Sequence, residues 1–460
     1  MINSPRIPQP TILVIVGISG DLAKRKLLPA ISQIAAAGVL PKHFRILGIT
    51  RQQLTLDDVL PAGDQQFLRQ ALELHQMDLT QTDDYVALTQ TLQKIETAFK
   101  KPAQRLFYLS IPPDAATALI GHLGAAGLNT PATKLLLEKP FGTDLASAES
   151  LIATIQKHFN EKQIYRIDHF LAKEMAQNMV VFRGSNSLFK RTWNKEFIES
   201  IDIVASEQLG VEGRKAFYEQ AGALRDFVQS HLLQLAALTL MDLPASSNWQ
   251  AVPKQRLRAL QQLSAPADIR GQVVRGQYQG YRKEVGNTHS TVETFVSLTL
   301  QSRDPRWAGV PITITTGKAL DRKATEIRIN YKQEEHFEAN VLILRIQPNE
   351  GVDICLWIKK PGFEHEVQQL SLDFSYSNHY TALPEAYERV FVDAMRGDRS
   401  LFATSDEVLA SWRILEPIQH AWSMGKGSLN MYKQGSTAEA IMHPPGSEIN
   451  RGRRLPNLIQ

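Results

Sequence analysis

The sequence predicts an α/β part followed by an α+β part: an N-terminal parallel sheet covered by helices, then a C-terminal domain built on a large antiparallel sheet. In the first third of the 460 residues, short apolar runs alternate with helical patterns, as they do in parallel sheets. In the second half, apolar runs follow one another across short polar connections, which favours antiparallel strands. The change of pattern near 170–180 predicts two domains, over 1–175 and 176–460.

The elements follow from these runs in chain order. In the first part the predicted strands are 11–16, 44–49, 105–111, 134–137 and 163–167, with helices near 22–37, 84–99, 113–125 and 144–159. A long helical stretch is predicted near 217–240. Strands are then predicted at 292–300, 310–316, 326–332, 340–347, 352–359 and 368–376, followed by closing helices near 384–396 and 404–422.

The composition excludes several classes of protein. Lysine and arginine number 51 and aspartate and glutamate 47, so the net charge of +4 is too small to indicate a nucleic-acid or membrane partner. We expect the basic tail at Arg451, Arg453 and Arg454 to fray in solvent. The single cysteine, Cys355, excludes internal disulfides and a cysteine-based metal cage. Because no signal-peptide pattern and no apolar run of about 20 residues is found, we expect a soluble cytoplasmic protein. We also expect no metal site.

A glycine-containing turn follows the first strand. Residues 12–16 run into Gly17-Ile-Ser-Gly20-Asp-Leu-Ala23, where a helix begins. Glycines at such a turn let the backbone approach a pyrophosphate, and the amides at the helix start favour its negative charge. The pattern is GxxGxxA and not GxGxxG, so a tight turn that binds nothing is the alternative. Its place after a buried first strand favours a Rossmann-like dinucleotide site.

The end of the second strand indicates which dinucleotide this site prefers. In a site that hydrogen-bonds the ribose hydroxyls, Asp or Glu usually occupies this position. This chain instead has Arg51 after Gly48-Ile-Thr50. An arginine can pair with a 2′-phosphate, so NADP is favoured and NAD is kept as a secondary coenzyme. A solvated surface arginine is the alternative interpretation.

A charged segment ends the last strand of the first part. In 166–174, His169 and Lys173 are spaced i and i+4, which predicts that both project from one face of a helix. Two side chains that carry a positive charge or donate hydrogen bonds can bind an anion when they lie beside the start of a helix. A surface ion-pair motif is an equally good interpretation of this segment alone.

One histidine is a candidate general base. His231 lies five residues after Asp226 in an apolar helix, where a hydrogen-bonded core histidine is the usual interpretation. A carboxylate such as Asp168 near His231 would fix the imidazole tautomer and raise its basicity. The sequence by itself does not show that contact.

Two further segments follow strand ends. The segment 317–323 carries Lys318, Arg322 and Lys323, which form either a solvated turn or part of a phosphate pocket. The segment 137–142 follows another strand of the parallel sheet, at the edge where such sheets bind ligands. Lys139 in that segment could point towards a cofactor and a substrate.

Together these segments resemble the glucose-6-phosphate dehydrogenase family. The matches occur in family order at 17–27, 105–109, 138–142, 166–174, 221–226, 317–320 and 347–350, and Arg-Ile-Asp-His at 166–169 is highly specific. The resemblance implies a dinucleotide-binding Rossmann-like domain and a β+α domain for substrate binding and dimerisation, in a homodimer or homotetramer. It also implies NADP-dependent oxidation of β-D-glucose 6-phosphate to 6-phosphoglucono-δ-lactone, in the oxidative pentose phosphate pathway of glucose metabolism.

The resemblance also implies roles for individual residues. His231 is implied as the general base and Asp168 as the group that orients it. The implied 6-phosphate ligands are His169, Lys173 and Lys323, and the implied ligands of the sugar hydroxyls are Glu207, Asp226, Lys318 and Gln347. Lys139 is implied between sugar and nicotinamide, and the implied coenzyme ligands are Gly17, Ser19, Gly20, Asp21, Leu22 and Arg51.

The chain departs from the family pattern at several positions. Phe170 stands where the family has a tyrosine, which removes a hydroxyl donor; a hydrogen bond to a charged group contributes roughly 1.5–3 kcal/mol. Ala172 and Ser230 replace a usual glycine and asparagine, which are small changes, and the stretch 51–77 is shorter than is typical. We therefore expect weaker or differently arranged phosphate binding.

Two other functions remain as alternatives. A Rossmann dehydrogenase of another sugar or polyol shares the fold and the Glu-Lys-Pro motif. An unphosphorylated polyol, however, has no group that a phosphate pocket would bind. A non-catalytic NADP-binding regulatory paralogue is the second alternative. Joint retention of Asp168, Lys173 and His231 argues against it, although Phe170 keeps it open as an alternative.

Overall fold

The computed structural model describes residues 5–60, 63, 65–244, 248–333 and 338–443. The described residues form two compact units. The first comprises Met1–Lys173, Pro244–Lys254 and Pro384–Leu409, and the second comprises Glu174–Leu243, Gln255–Leu383 and Ala410–Gln460. The basic tail at 451–454 lies outside the described residues.

The elements are as follows. The strands, β1 to β17 in chain order, are Thr11–Val16, Phe44–Thr50, Leu72–Gln76, Gln104–Leu109, Thr133–Leu137, Ile164–Ile167, Ile198–Ser206, Leu263–Ser264, Val273–Tyr278, Phe295–Ser302, Ile312–Gly317, Ala324–Tyr331, Val341–Gln347, Gly351–Lys359, Val367–Ser375, Phe402–Ala403 and Leu429–Tyr432. The α-helices are Leu28–Ala36, Leu56–Val59, Gln66–Ala71, Thr82–Phe99, Pro113–Ala125, Leu145–Gln156, Glu174–Ser185, Ser187–Thr192, Lys215–Ala223, Leu233–Leu240, Val252–Gln262, Ile269–Gln272, Tyr281–Val285, Tyr376–His379, Ala386–Arg396, Ser405–Ser423 and Ala438–Met442. Ala23–Leu27 and Leu224–Leu232 are π-helical, and Glu161–Gln163, Glu212–Arg214 and Trp249–Ala251 are 3₁₀-helical.

The first unit is built on a seven-stranded sheet in the order β16-β6-β5-β4-β1-β2-β3. Strands β1 to β6 are parallel in the Rossmann order, and β16 adds an antiparallel edge. The strand order reverses at β1 and β4, so a crevice is expected at their carboxyl ends. The predicted parallel sheet is confirmed. The prediction missed β3, because its sequence Leu-Glu-Leu-His-Gln is mostly polar and it forms an edge.

The second unit is built on a large sheet whose strands follow the order β15-β14-β13-β12-β7-β11-β10-β9-β17, with β8 paired to β10. The predicted large antiparallel sheet is confirmed, with antiparallel pairs from β9 to β11 and from β12 to β15. At its centre the strands do not pair in chain order. There β7 lies between β12 and β11 and runs parallel to β11. This strand comes more than a hundred residues before β11 in the sequence, so no local pattern predicted the pairing.

The long helical stretch of the second unit is broken. Lys215–Ala223 contains Gly222 at φ +64°, after which Leu224–Leu232 is π-helical and Leu233–Leu240 is α-helical. The carbonyls that end this stretch are satisfied by side chains: Arg183 donates to Leu238 and Met241, Trp193 to Thr239, and Trp307 to Leu240, at 2.6–2.9 Å. No helix in the described part of the chain is long and apolar enough to cross a bilayer.

Candidate active site

The glycine turn after β1 is shaped by close backbone contacts in the first unit. Gly17 has φ +87°, and a Cβ there would lie 2.4 Å from the Ser110 carbonyl oxygen at the end of β4. Its amide and that of Ile18 both donate to the Ile49 carbonyl, at 3.1 and 3.2 Å. The turn is therefore packed closely against the ends of the two neighbouring strands, β2 and β4, and residue 17 must be glycine.

The turn leads directly into a helix. The Lys24 amide donates to the Gly20 carbonyl at 3.2 Å, so the amides that follow Gly20 belong to the first helical turn. Ser19 and Asp21 are exposed, and Asp21 forms a solvent-exposed pair with Arg25 at 3.5 Å. A glycine turn without room for a Cβ, followed by N-terminal helix amides, fits the pyrophosphate of a dinucleotide.

Arg51 lies directly after β2 and its side chain is exposed. Its carbonyl accepts a hydrogen bond from the Gln76 amide group at 3.3 Å, which ties the residue to the neighbouring strand β3. Hydrogen bonds from the Thr80 amide and hydroxyl, with the charge of Arg51, hold the pKa of Asp78 below its usual range. Arg51 therefore lies at the carboxyl edge of the parallel sheet, with its side chain open to solvent.

Glu138 and Lys139 follow β5 at the same edge. The Glu138 carboxylate accepts hydrogen bonds from the hydroxyl of the fully buried Tyr108 and, at 3.4 Å, from that of Tyr387. Burial raises the pKa of Glu138, and these hydrogen bonds oppose the shift. The bond from Lys139 to Pro140 is cis. Lys139, like Glu138, is partly exposed.

The segment after β6 differs from its prediction. Residues 168–173 form turns and the next helix begins at Glu174, so the expectation that His169 and Lys173 share a helical face is wrong. The cause is local: the Phe170 amide donates to the Asp168 carboxylate at 2.9 Å, and the Lys173 amide donates to the Phe170 carbonyl at 3.2 Å. These bonds compete with helical ones. The Phe170 ring is buried.

His169 is held by a residue from late in the sequence. Its Nε2 lies 2.5 Å from the Tyr387 hydroxyl, the rings pack edge to face at 4.7 Å, and Nε2 is 4.0 Å from the Glu138 carboxylate. No pattern in the sequence predicts Tyr387 or Tyr108 as a site residue. Tyr108 lies inside a matched motif, whereas no local pattern marks Tyr387, which is 218 positions from His169.

In the second unit, Asp226 and His231 lie on the π-helical segment and are 2 % and 5 % exposed. The His231 ring packs edge to face on Phe227 at 5.7 Å. Arg214 approaches the Asp226 carboxylate at 3.8 Å. Asp168 belongs to the first unit and His231 to the second.

Glu207 and Lys318 meet because β7 and β11 are parallel and in register. Ser206 ends β7 opposite Gly317, so the next residue of each strand lies at the same edge, and the Lys318 Nζ is 2.6 Å from the Glu207 carboxylate. The ammonium also lies 5.2 Å from the Tyr218 ring centre and 6.0 Å from that of Phe227. Burial, with the charges of Asp226, Glu293 and Glu207, raises the pKa of Tyr218 far above its usual value.

Two more predicted ligands lie on the neighbouring strands. Lys323 is exposed immediately before β12, whose first residue, Ala324, pairs with Ser206. Gln347 ends β13, and its amide group donates to the Thr325 hydroxyl at 3.2 Å. Four predicted sugar-phosphate ligands therefore share one edge of this sheet: Glu207, Lys318, Lys323 and Gln347. Within the described residues no group of three or more His, Cys, Asp or Glu side chains is arranged to hold a metal ion.

Comparisons with known proteins identify relatives over almost the whole chain. Two sequence models of one family match it: "Glucose-6-phosphate dehydrogenase, NAD binding domain" over residues 14–178 and "Glucose-6-phosphate dehydrogenase, C-terminal domain" over residues 180–443. The glucose-6-phosphate 1-dehydrogenase of Chlamydia pneumoniae is 34 % identical, with 97 % of each chain covered. That of Bacillus subtilis is 35 % identical, with 92 % of this chain and 94 % of that one covered.

Solved structures are similar as well. A glucose-6-phosphate dehydrogenase in complex with its substrate glucose-6-phosphate matches with a TM-score of 0.88 at 30 % identity, covering 95 % of this chain and 96 % of that one. The glucose-6-phosphate 1-dehydrogenase of Mycobacterium avium matches with a TM-score of 0.81 at 31 % identity, covering 94 % and 96 %.

Proposed function

This chain belongs to the glucose-6-phosphate dehydrogenase family, and from that premise we propose that it oxidises β-D-glucose 6-phosphate to 6-phosphoglucono-δ-lactone with hydride transfer to NADP. The observation that carries the proposal is a cluster of polar side chains in the second unit. There Lys318 and Glu207 pair at 2.6 Å, beside the segment that carries Asp226 and His231. This set combines a base with ligands for several hydroxyls.

His231 acts as the general base in this proposal. Oxidation at C1 requires that the proton of the anomeric hydroxyl leave as the hydride leaves the carbon with its electron pair. The imidazole takes that proton, and the C1–O bond becomes the carbonyl of the lactone. When bound, the nicotinamide ring supplies the hydride acceptor. Asp168 orients the imidazole and stabilises it once it is protonated.

The remaining predicted residues position the substrate. Glu207, Asp226, Lys318 and Gln347 bind the sugar hydroxyls, and carboxylate, amide and ammonium groups together offer donors and acceptors for them. His169, Lys173 and Lys323 hold the 6-phosphate. The contact of His169 with Tyr387 at 2.5 Å supports a fixed ring orientation for that task.

The coenzyme lies on the first unit in this proposal. Gly17, Ser19, Gly20, Asp21 and Leu22 hold the pyrophosphate and Lys139 lies between sugar and nicotinamide. The exposed Arg51 pairs with the 2′-phosphate, which makes NADP the preferred coenzyme and NAD a secondary one. The reaction would be the first step of the oxidative pentose phosphate pathway.

We also propose that the chain forms at least a homodimer through its large sheet. Strands β14 and β15 place Ile354 opposite Leu372 and Leu356 opposite Leu370 on one face. At this edge Ile358, Leu370 and Leu372 are 40 %, 43 % and 62 % exposed, which is typical of an interaction surface. Sedimentation velocity should give a dimer or tetramer that Leu372→Lys dissociates, whereas a monomeric wild-type chain would rule the assembly out.

One assay tests the catalytic proposal. The purified protein is mixed with NADP or NAD and with glucose 6-phosphate or unphosphorylated glucose, and reduction of the nicotinamide is followed by absorbance. We expect efficient turnover only with the phosphorylated sugar, and faster turnover with NADP than with NAD. Equal rates with glucose would indicate a dehydrogenase of another sugar or polyol, and binding of NADP without turnover would indicate a regulatory paralogue.

A further inference from the structure

A buried carboxylate that has no part in the proposed reaction caps the helical segment carrying Asp226 and His231. Glu293 lies just before β10 and is 5 % exposed. Its Oε1 accepts a hydrogen bond from the Leu224 amide at 3.0 Å, and its main-chain carbonyl accepts one from the Ala223 amide at 3.0 Å. One residue therefore satisfies two successive amides at the start of this segment.

The backbone at Gly222 leaves room for the contact between Glu293 and Leu224. Gly222, at φ +64° and ψ 178°, ends the preceding helix and lets the backbone begin a new helical segment at Ala223. A Cβ on Gly222 would lie 2.4 Å from the Glu293 Oε1, so only glycine leaves room for the carboxylate. A negative group at a helix start is also favoured by the helix dipole.

The residue after Glu293 contacts Lys318, another residue of the candidate site. The carbonyl of Thr294, the next residue, accepts the Lys318 amide at 2.9 Å. The Thr294 hydroxyl lies 2.8 Å from the Tyr432 hydroxyl, which in turn donates to the Lys318 carbonyl at 2.7 Å. Glu293 and Thr294 thus connect the segment with Asp226 and His231 to the residue that pairs with Glu207.

We propose that Glu293 is a positioning residue: its carboxylate fixes the start of Leu224–Leu232 and thereby the placement of Asp226 and His231 for the sugar. The expected effect on kinetics rests on the proposed function. The capping contact between Glu293 and Leu224 does not depend on that function. Glu293 contacts neither substrate nor coenzyme in this proposal. Burial raises the pKa of Glu293, and the hydrogen bond from the Leu224 amide and the charges of Arg225 and Arg275 oppose this shift without cancelling it.

Three variants test the inference. Glu293→Ala removes the acceptor, Glu293→Gln keeps an oxygen at the same distance along the side chain, and Glu219→Ala is the matched control. Glu219 lies on the preceding helix and accepts hydrogen bonds from Tyr281, Asn287 and Ser290 instead of from the segment start. If Glu293→Ala does not fold, Glu293→Asp, which is one methylene shorter, takes its place with the same expected result.

The first measurement is hydrogen–deuterium exchange of peptides covering 222–232, which does not depend on activity. We expect exchange at least tenfold faster in Glu293→Ala and close to wild-type exchange in Glu293→Gln and Glu219→Ala. Unchanged exchange in Glu293→Ala would overturn the inference. So would equal acceleration in Glu293→Gln, because the acceptor oxygen would then not be what matters.

The second measurement is steady-state kinetics with glucose 6-phosphate, together with the Kd for NADP. We expect kcat/KM at least tenfold lower in Glu293→Ala, a Kd for NADP within twofold of wild type, and rescue of kcat/KM to within threefold by Glu293→Gln. Wild-type kinetics in Glu293→Ala would overturn the positioning role. A wild-type protein that does not turn over glucose 6-phosphate would instead overturn the proposed function. The exchange measurement would still show whether Glu293 fixes the start of Leu224–Leu232.

Discussion

The His169 Nε2 lies 2.5 Å from the hydroxyl of Tyr387, a contact between the turn after β6 and the helix Ala386–Arg396. Both groups lie beside the partly buried Glu138 carboxylate, with Nε2 at 4.0 Å and the hydroxyl at 3.4 Å. A partner on one ring nitrogen sets the tautomer of a histidine and the direction of its other nitrogen. The proposed phosphate ligand is therefore oriented by a residue that belongs to no recognised motif.

Removal of this hydroxyl should weaken substrate binding. We expect Tyr387→Phe to raise the KM for glucose 6-phosphate about tenfold, which corresponds to the loss of about 1.4 kcal/mol, with kcat nearly unchanged. Steady-state kinetics checks this. The matched control is Tyr108→Phe, which removes another hydroxyl from Glu138 without touching His169 and should leave KM within twofold. Equal effects of the two changes would contradict an orienting role for Tyr387.

Removal of the proposed base should stop turnover but not coenzyme binding. We expect His231→Asn to lower kcat by at least about 10²-fold, the low end for loss of a general base, because no other group would take the anomeric proton. The Kd for NADP, measured by fluorescence, should stay nearly constant. His122→Asn, which loses a histidine that stacks on Tyr85 in the first unit, is the control. A fully active His231→Asn variant would exclude His231 from the mechanism.

Coenzyme choice should depend on Arg51. We expect Arg51→Ala to weaken NADP about tenfold or more and NAD less than twofold, since only NADP carries the 2′-phosphate that a guanidinium can pair with. Titration of both coenzymes measures the two Kd values. Arg45→Ala, an exposed arginine on the same strand β2, should change neither. Parallel losses for NADP and NAD would refute the 2′-phosphate assignment.

The family tyrosine should improve phosphate binding when it is restored. We expect Phe170→Tyr to lower the KM for glucose 6-phosphate, because a hydrogen bond to a charged group contributes roughly 1.5–3 kcal/mol. The ring is buried, so a hydroxyl without a partner would cost stability instead. A lower Tm with an unchanged KM would mean that the hydroxyl finds no partner in this chain.

Stability should respond to pH through Asp393. Burial raises the pKa of this carboxyl to about 6 from its ordinary 3.8, against the opposing effect of Arg389 at 2.9 Å. Because the folded pKa lies above the unfolded one, the stabilisation by the protonated form is complete below about pH 4 and is lost as pH rises through about 6. The ionised form therefore costs the fold on the order of 1–3 kcal/mol at neutral pH.

The substitution that checks this is Asp393→Asn. We expect its Tm to exceed that of the wild type above about pH 6 and the difference to shrink as the pH falls towards 4. Thermal unfolding at a series of pH values measures it. Asp114→Asn, at an exposed aspartate, should show no such trend. A difference that is constant with pH would contradict the assignment to Asp393.

Much of the fold could be predicted because it rests on local patterns. The sequence predicts strand β1 and the helix Pro113–Ala125 with their observed bounds, because β1 is a short continuous apolar run and the helix begins at a proline. The prediction failed where pairing across the chain decides the structure. Strand β7 was missed, and the turn at 168–173 was taken for a helix because its spacing alone is compatible with one.

The sequence by itself determined the two types of sheet, the glycine turn after β1 and the residue types available for chemistry, because these depend on periodicity and on side chains within a few positions. Only the tertiary structure decided which of those residues meet. Glu207 and Lys318 are 111 positions apart and pair because β7 and β11 run parallel in register. Tyr387 reaches His169, and Glu293 reaches Leu224, for the same physical reason: hydrogen bonds form between neighbours in space, and distance along the chain does not predict them.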